Sequence, residues 1–101
     1  MSAKLGSTLT RLWTVYSISH GKSLLYIGIS SRYSRRKSEH LYGKCRTTRE
    51  TITQLTSEGE ELTFTELDAI QGYRNAIARE SDLRRTLRPM LNALPSKDQD
   101  Q

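Results

Sequence analysis

The sequence has little of what disulfide-rich, membrane and secreted proteins need. A single cysteine among 101 residues cannot form a disulfide within the chain. The longest uninterrupted apolar run covers residues 24–29, far short of the roughly 20 residues that a bilayer span requires. The first ten residues lack the basic-then-apolar order of a secretory signal. These absences predict a soluble protein without a membrane segment, and the free thiol of Cys45 favours a reducing compartment, the cytoplasm.

Motifs of several enzyme classes are missing as well. Cys45 and the two histidines do not have the spacing of a zinc site. The sequence contains no glycine-rich loop that could cradle a phosphate, and no motif supports Ser-His-Asp catalysis. We find no internal repeat, and a single domain is expected because cores usually divide only beyond roughly 250 residues.

Positive charge is in excess and unevenly distributed. Lysine and arginine number 16 against 11 acids, which gives a net charge of +5. Residues 32–49 are strongly basic, whereas residues 58–68 carry five acids and no base. The chain could therefore fold with one basic and one acidic face, and the basic face favours a polyanionic partner. The alternative is that these charges only keep the helices soluble.

Three segments have the composition of β-strands. Residues 12–19 and 23–30 are rich in Val, Ile, Leu, Tyr and Trp and flank a turn at Gly21, which predicts a β-hairpin. Side chains alternate between the faces of a strand, so we expect the aliphatic face of the hairpin to meet the core and Tyr26 to lie on the other. An imperfect alternation over residues 61–68 predicts a third strand.

Three helices are predicted from capping residues and apolar spacing. The first runs through residues 35–44 after a group of serines that can cap it, and Gly43 is its expected end. The second covers residues 47–58 and the third residues 72–88. The order ββααβα favours an α+β fold, a small three-stranded antiparallel sheet flanked by about three helices.

The last predicted helix has a carboxylate within its apolar stripe. The stripe consists of Tyr73, Ala76, Ile77, Leu83 and Leu87. Its spacing places Glu80 where a hydrophobic residue is expected. Burying an unpaired carboxylate costs on the order of several kcal/mol, so Glu80 must be paired, protonated or bound to a metal ion. A salt bridge or a position at the rim of the core would explain it without any function.

Arg36 and His40 lie four residues apart in the first predicted helix, so they project from the same face. That face can meet the sheet. Taken singly, His40 could be an ordinary hydrogen-bonded histidine and Arg36 an ordinary solvated cation.

Taken together, these features have a specific spacing. The stretch YIGISSRYSRRKSEH covers residues 26–40, with Thr14-Val15-Tyr16 ahead of it and Glu80 on a later helix before LRPMLN. The set resembles the GIY-YIG nuclease superfamily. One position departs from the family pattern, because Thr14 replaces the first glycine. We expect tolerance there, since the functional atom of that motif is the tyrosine hydroxyl.

The resemblance implies a role for each matching residue. The catalytic residues would be Tyr16, Tyr26, Arg36 and His40, the metal ligand Glu80, and the supporting residues Gly28 and Asn92. Mg²⁺ is the implied cofactor, with Mn²⁺ expected to substitute, because hard ions suit carboxylate and phosphate oxygens. Arg36 would stabilise the phosphate.

Some roles stay open at this stage. A tyrosine is the preferred general base with His40 in support, although a reference pKa of about 10 means that the tyrosine needs help, and His40 could itself take the proton. Gly28 could allow a close approach or mark a bulge. Asn92 could orient Glu80 or simply close a turn.

The implied function is a divalent-metal-dependent endonuclease that hydrolyses DNA. We expect residues 1–11 to form an N-terminal extension, 12–94 the nuclease domain and 95–101 a flexible tail. The basic residues outside the site would contact the DNA backbone: Arg32, Arg35, Lys37, Lys44, Arg46, Arg49, Arg84 and Arg85. A homo-oligomer or a separate specificity partner is possible. The alternatives are a catalytically inactive nucleic-acid-binding protein on the same fold and an RNA-directed nuclease.

Overall fold

A three-stranded antiparallel sheet organises the fold. The computed structural model describes residues 11–91. Its strands are β1 (Leu12–His20), β2 (Ser23–Ser30) and β3 (Thr63–Gln71), in the spatial order β2-β1-β3. The central strand β1 is therefore paired along both of its edges. The predicted hairpin is confirmed, because β1 and β2 are antiparallel neighbours.

Three helices accompany the sheet: α1 (Tyr33–Leu41), α2 (Arg49–Ser57) and α3 (Tyr73–Leu87). The element order ββααβα and the α+β class are as predicted from the sequence. Among residues 11–91, none of the helices has both the length and the apolar character that a membrane span requires.

The boundaries differ most from the sequence prediction at two elements, where one end is shifted by three residues. Strand β3 continues to Gln71 instead of ending at residue 68, because the first residues of β1 provide hydrogen-bonding partners: Leu12 lies opposite Gln71 and Trp13 opposite Ile70. Helix α1 begins earlier than expected, at Tyr33, without a side-chain cap. The side chain of Ser30 instead accepts a hydrogen bond from the backbone N–H of Arg32, in the turn that leads into the helix.

Both faces of the sheet are covered. Tyr16 and Ser17 are consecutive residues of β1, so their side chains point to opposite faces, and both are buried. One buried cluster is formed by Tyr16, Ile18, Leu25 and Ile52 of α2. Helix α3 packs against all three strands, and its Ala76 is fully buried. The face of the sheet that carries Tyr16 and Tyr26, the tyrosine face, is thus buried as well, whereas the aliphatic pattern of the hairpin predicts a core on the other face only.

Candidate active site

Two tyrosines come together over a glycine of the hairpin. Tyr16 lies opposite Gly28 in the β1–β2 register, and Tyr26 lies opposite Ile18, so both rings are on the same face of the sheet. Their centroids are 6.2 Å apart. A Cβ at Gly28 would lie 2.7 Å from Tyr16 Oη and 2.8 Å from Tyr26 Cε2. The tyrosines can therefore meet only because residue 28 has no side chain.

A histidine from α1 joins the tyrosine pair. His40 is fully buried, and its Nε2 lies 2.8 Å from Tyr16 Oη. The imidazole ring also meets Tyr26 edge-on, with centroids 5.3 Å apart. On its other side, Nδ1 lies 2.6 Å from Oγ1 of the buried Thr48. Both ring nitrogens are thus engaged, and the ring is held in one orientation.

Arg36 lies one helical turn before His40 and remains partly exposed. Its Nη1 is 3.2 Å from Glu39 Oε1 on the same helix. The positive charge of Arg36 acts to lower the pKa of both Tyr16 and Tyr26. The guanidinium therefore lies within electrostatic range of the two phenols and can also face solvent.

An open cleft of about 320 Å³ lies along the first part of α1 and the turn that precedes it. It is lined by Trp13, Ile29, Ser30, Ser31, Arg32, Arg35, Arg36 and Glu39. Three arginines and two serine hydroxyls make the cleft rich in hydrogen-bond donors. Such a lining suits an anion with several oxygens, such as a phosphodiester.

Glu80 reaches the same neighbourhood from α3. Its side chain is partly buried, and burial raises the pKa of the carboxyl, opposed by the charge of Arg84. The negative charge of Glu80 in turn acts to raise the pKa of Tyr16 and of Tyr26. Among residues 11–91, no cluster of three or more His, Cys, Asp or Glu side chains could enclose a metal ion. Glu80 is therefore a single carboxylate within electrostatic range of the tyrosines, and no described His, Cys, Asp or Glu cluster encloses it.

The two phenols are held in their protonated form. Burial is the main cause in each case: it raises the pKa of Tyr16 well above its ordinary value and that of Tyr26 to about 12. Arg36 opposes the shift at both tyrosines, but burial is the larger effect. At neutral pH neither tyrosine is a tyrosinate in the free protein. A tyrosine can therefore accept a proton from water only if it releases its own hydroxyl proton to another group.

The residues predicted to contact DNA are exposed except for the partly buried Arg84, but they form separate groups. Arg32 and Arg35 line the cleft beside Arg36. Arg46 and Arg49 line a second open depression, at the start of α2. The remaining predicted contacts are Lys37, Lys44, Arg84 and Arg85. Lys37 makes a cation–π contact within the protein, with its Nζ 5.4 Å from the centre of the Phe64 ring.

Sequence reasoning missed three residues around His40 and Tyr16. Thr48 was expected only to open a helix, yet it makes no capping hydrogen bond and contacts His40 instead. Cys45 lies close to the side chains of His40 and Thr48, and interaction with His40 first and with Thr48 second lowers the pKa of its thiol to about 6. The Tyr33 ring lies 5.3 Å from that of Tyr16. No spacing rule connects Cys45 and Thr48 with His40, because the loop between α1 and α2 brings them there, whereas Tyr33 is the first residue of α1. Asn92 lies outside the described residues.

Comparison with known families assigns the chain to a family. A model of the GIY-YIG catalytic domain matches residues 12–93. The chain belongs to the GIY-YIG family. The resemblance seen in the sequence is confirmed over most of the chain, including the Thr14 position that departs from the motif. No curated protein matches the sequence significantly.

Solved structures with the GIY-YIG fold are similar to this chain. One is the N-terminal endonuclease domain of UvrC from Thermotoga maritima with bound magnesium, at 22% identity and a TM-score of 0.53, covering 88% of this chain and 92% of that one. An Asn-to-Ala variant of that domain with its catalytic divalent cation has 21% identity and a TM-score of 0.55, covering 88% and 91%. At such identities the likeness establishes the shared fold.

Proposed function

We propose that the protein is a divalent-metal-dependent endonuclease that hydrolyses phosphodiester bonds in DNA, with residues 12–94 as its nuclease domain. One observation carries this proposal. Side chains from four separate elements, β1, β2, α1 and α3, come together: the two phenol rings lie 6.2 Å apart, and the charges of Arg36 and Glu80 both act on their pKa values. Membership of the GIY-YIG family supports it, as does the catalytic cation bound by the similar UvrC domain.

The donor set around Glu80 fits Mg²⁺. This ion commonly binds one or two carboxylates together with substrate phosphates while it keeps several waters. A lone, partly buried carboxylate within electrostatic range of the tyrosines provides such a site, whereas zinc usually takes at least three protein ligands, and no such group is found among residues 11–91. When bound, the cation would neutralise phosphate charge and favour ionisation of nearby water. We expect Mn²⁺ to substitute, because it accepts the same oxygen ligands.

Tyr16 is the tyrosine that we propose as general base, because it has a proton acceptor in place. Its hydroxyl is hydrogen-bonded to His40 Nε2. As Tyr16 takes a proton from the attacking water, it can release its own proton to His40. Tyr26 shares the glycine-lined face and would help to orient the water.

Arg36 would bind the phosphate. A guanidinium keeps its charge at any working pH and donates to two phosphate oxygens at once. Its contact with Glu39 is a partly exposed ion pair, which costs little to exchange for a substrate contact. Arg32 and Arg35 would hold the flanking backbone phosphates.

A cleavage assay tests the proposal. Labelled DNA and RNA oligonucleotides, each single- and double-stranded, are incubated with the protein and Mg²⁺, Mn²⁺ or EDTA. We expect cleavage of DNA with either cation and none with EDTA. Cleavage of RNA alone would identify the RNA-directed alternative, and binding without cleavage would identify the inactive binding protein.

Variants separate the chemistry from the general charge. Arg36→Ala is expected to slow cleavage by about 10²–10³-fold, the usual loss when one stabilising donor is removed from a transition state. Lys22→Ala removes an equal charge from the exposed hairpin turn and should cleave like the parent. Equal effects of the two substitutions would count against a special role of Arg36.

A further inference from the structure

The hydroxyl of Thr48 faces the histidine that contacts the proposed base. Thr48 occupies the cap position of α2, where a threonine oxygen commonly accepts a hydrogen bond from the first turn of the helix. Here it makes no such bond. Thr48 is fully buried, and its Oγ1 lies 2.6 Å from His40 Nδ1. The Thr48 hydroxyl is thus hydrogen-bonded to His40 and does not cap the helix.

The direction of each hydrogen bond follows from the number of protons available. Tyr16 is 1% exposed, so its hydroxyl proton needs a protein acceptor. Within the part of the chain that the structure describes, His40 Nε2 is the partner of that hydroxyl. Nε2 must therefore be unprotonated, and in a neutral imidazole the proton then lies on Nδ1.

Thr48 completes the arrangement as an acceptor. The proton on His40 Nδ1 is donated to Thr48 Oγ1, which leaves the hydroxyl proton of Thr48 to find its own acceptor. Cys45 provides one. The side chain of Thr48 is a hydrogen-bonding neighbour of Cys45, so the Cys45 sulfur can accept the hydroxyl proton of Thr48.

We propose that Thr48, assisted by Cys45, is a positioning residue that holds the proton of His40 on Nδ1 and keeps Nε2 free to receive the proton of Tyr16. This inference rests on the proposed function of Tyr16 as the general base. In the reaction, one proton moves from water to Tyr16 Oη as the proton of Tyr16 moves to His40 Nε2. The resulting imidazolium keeps its Nδ1 hydrogen bond to Thr48. With the opposite tautomer, Nε2 would already carry a proton and could accept none.

The tautomer can be measured without any activity. The nitrogen chemical shifts of histidine in ¹⁵N-labelled protein distinguish a protonated from an unprotonated ring nitrogen, and His20→Gln assigns the signals of the two histidines. We expect His40 to carry its proton on Nδ1. A proton on Nε2 in the unsubstituted protein would overturn the proposal.

Substitutions at residue 48 then test the effect on catalysis. Thr48→Val keeps the shape of the side chain but removes the hydroxyl. We expect a mixed tautomer at His40 and a kcat lower by about 10–100-fold, the usual effect of losing a group that orients a functional histidine, with KM for DNA unchanged. Thr48→Ser should restore both, and Thr47→Val, at the exposed neighbouring position, should change neither.

The outcomes distinguish the two proposals. A Thr48→Val protein with the parental tautomer and kcat would refute the role of Thr48. A proton on Nδ1 in a protein that cleaves no nucleic acid would refute the proposed function but leave the positioning of His40 standing. If Thr48→Val does not fold, Thr48→Ala removes the hydroxyl with a smaller side chain, and a parental tautomer and kcat in that variant would refute the role of Thr48. An unchanged tautomer population in Cys45→Ala would refute the role of Cys45.

Discussion

Gly28 has no side chain because two tyrosine rings occupy the space that a Cβ would need. We expect Gly28→Ala to push the Tyr16 hydroxyl away from His40, since the added carbon would lie 2.7 Å from Tyr16 Oη. The overpacking should lower the free energy of unfolding by about 1–3 kcal/mol and also slow cleavage. Urea denaturation and a cleavage assay measure the two effects.

Gly21→Ala is the matched control for that substitution. Its Cβ would contact nothing, but its φ of 59° is strained for alanine, at a cost of about 1–2 kcal/mol. We expect a comparable loss of stability with unchanged cleavage. If both variants lose cleavage in proportion to stability, the close approach at Gly28 has no specific role in the site.

Buried tyrosines also make stability depend on pH. The pKa of Tyr26 is raised by burial to about 12, and that of Tyr16 is raised further. Above about pH 10 the unfolded chain releases these protons while the folded protein retains them, so the free energy of unfolding must fall as pH rises from about 10 to 12. Below that window the contribution of the tyrosines is constant.

Urea denaturation between about pH 8 and pH 11 checks this prediction. The slope beyond about pH 10 should become shallower in Tyr26→Phe, because one titrating group is gone. A parental protein whose stability is the same at both ends of that range would contradict the burial of the two phenols.

Helix α2 packs against the candidate site through one buried core residue, Ile52. Ile52 is 1% exposed and packs with Tyr16, Ile18 and Leu25. Ile52→Ala should therefore lower the free energy of unfolding by about 2–5 kcal/mol, as measured by urea denaturation. Thr53→Ala, at the exposed neighbouring position, should cost far less. Similar losses for both variants would mean that α2 does not pack on the tyrosine face.

Elements were predictable where local pattern and tertiary structure agree. The hairpin has strand-forming residues on both sides of a glycine turn, and α3 has a regular apolar stripe, so both were found from sequence. The end of β3 was not, because Gln71 is in a strand only through its pairing with Leu12. Pairing between distant segments leaves no local signal in the strand that it extends.

The site was predictable to the same degree. Glu80 was proposed because a carboxylate interrupts an apolar stripe, and Arg36 and His40 because their spacing gives them a common helix face; their roles stay predictions. Thr48 was not assigned to the site, since a threonine at the start of a helix has an ordinary explanation as a cap. Only the fold brings its hydroxyl to the imidazole instead.

At the scale of the whole molecule, the net charge of +5 predicts salt-dependent binding to DNA. Each phosphate that a cation neutralises contributes about 0.9 to the slope of log affinity against log salt. Removing Arg46 and Arg49 together should therefore lower that slope by up to about 1.8 if both contact duplex phosphates. Fluorescence anisotropy at several salt concentrations measures it.

Lys22→Ala provides the comparison, because this lysine is exposed in the hairpin turn and lines neither the cleft at α1 nor the depression at the start of α2. We expect its slope to match that of the parent. An unchanged slope in the double variant would place the DNA away from the start of α2.

The most direct measurement of the central claim is cleavage of DNA by Glu80→Gln in the presence of Mg²⁺. The substitution keeps the size of the side chain but removes the charge that would hold the cation. We predict a rate at least about a hundredfold below that of the parent, with DNA affinity retained, whereas Glu58→Gln, at an exposed position after α2, cleaves normally. A Glu80→Gln protein that cleaves DNA at the parental rate would contradict the account.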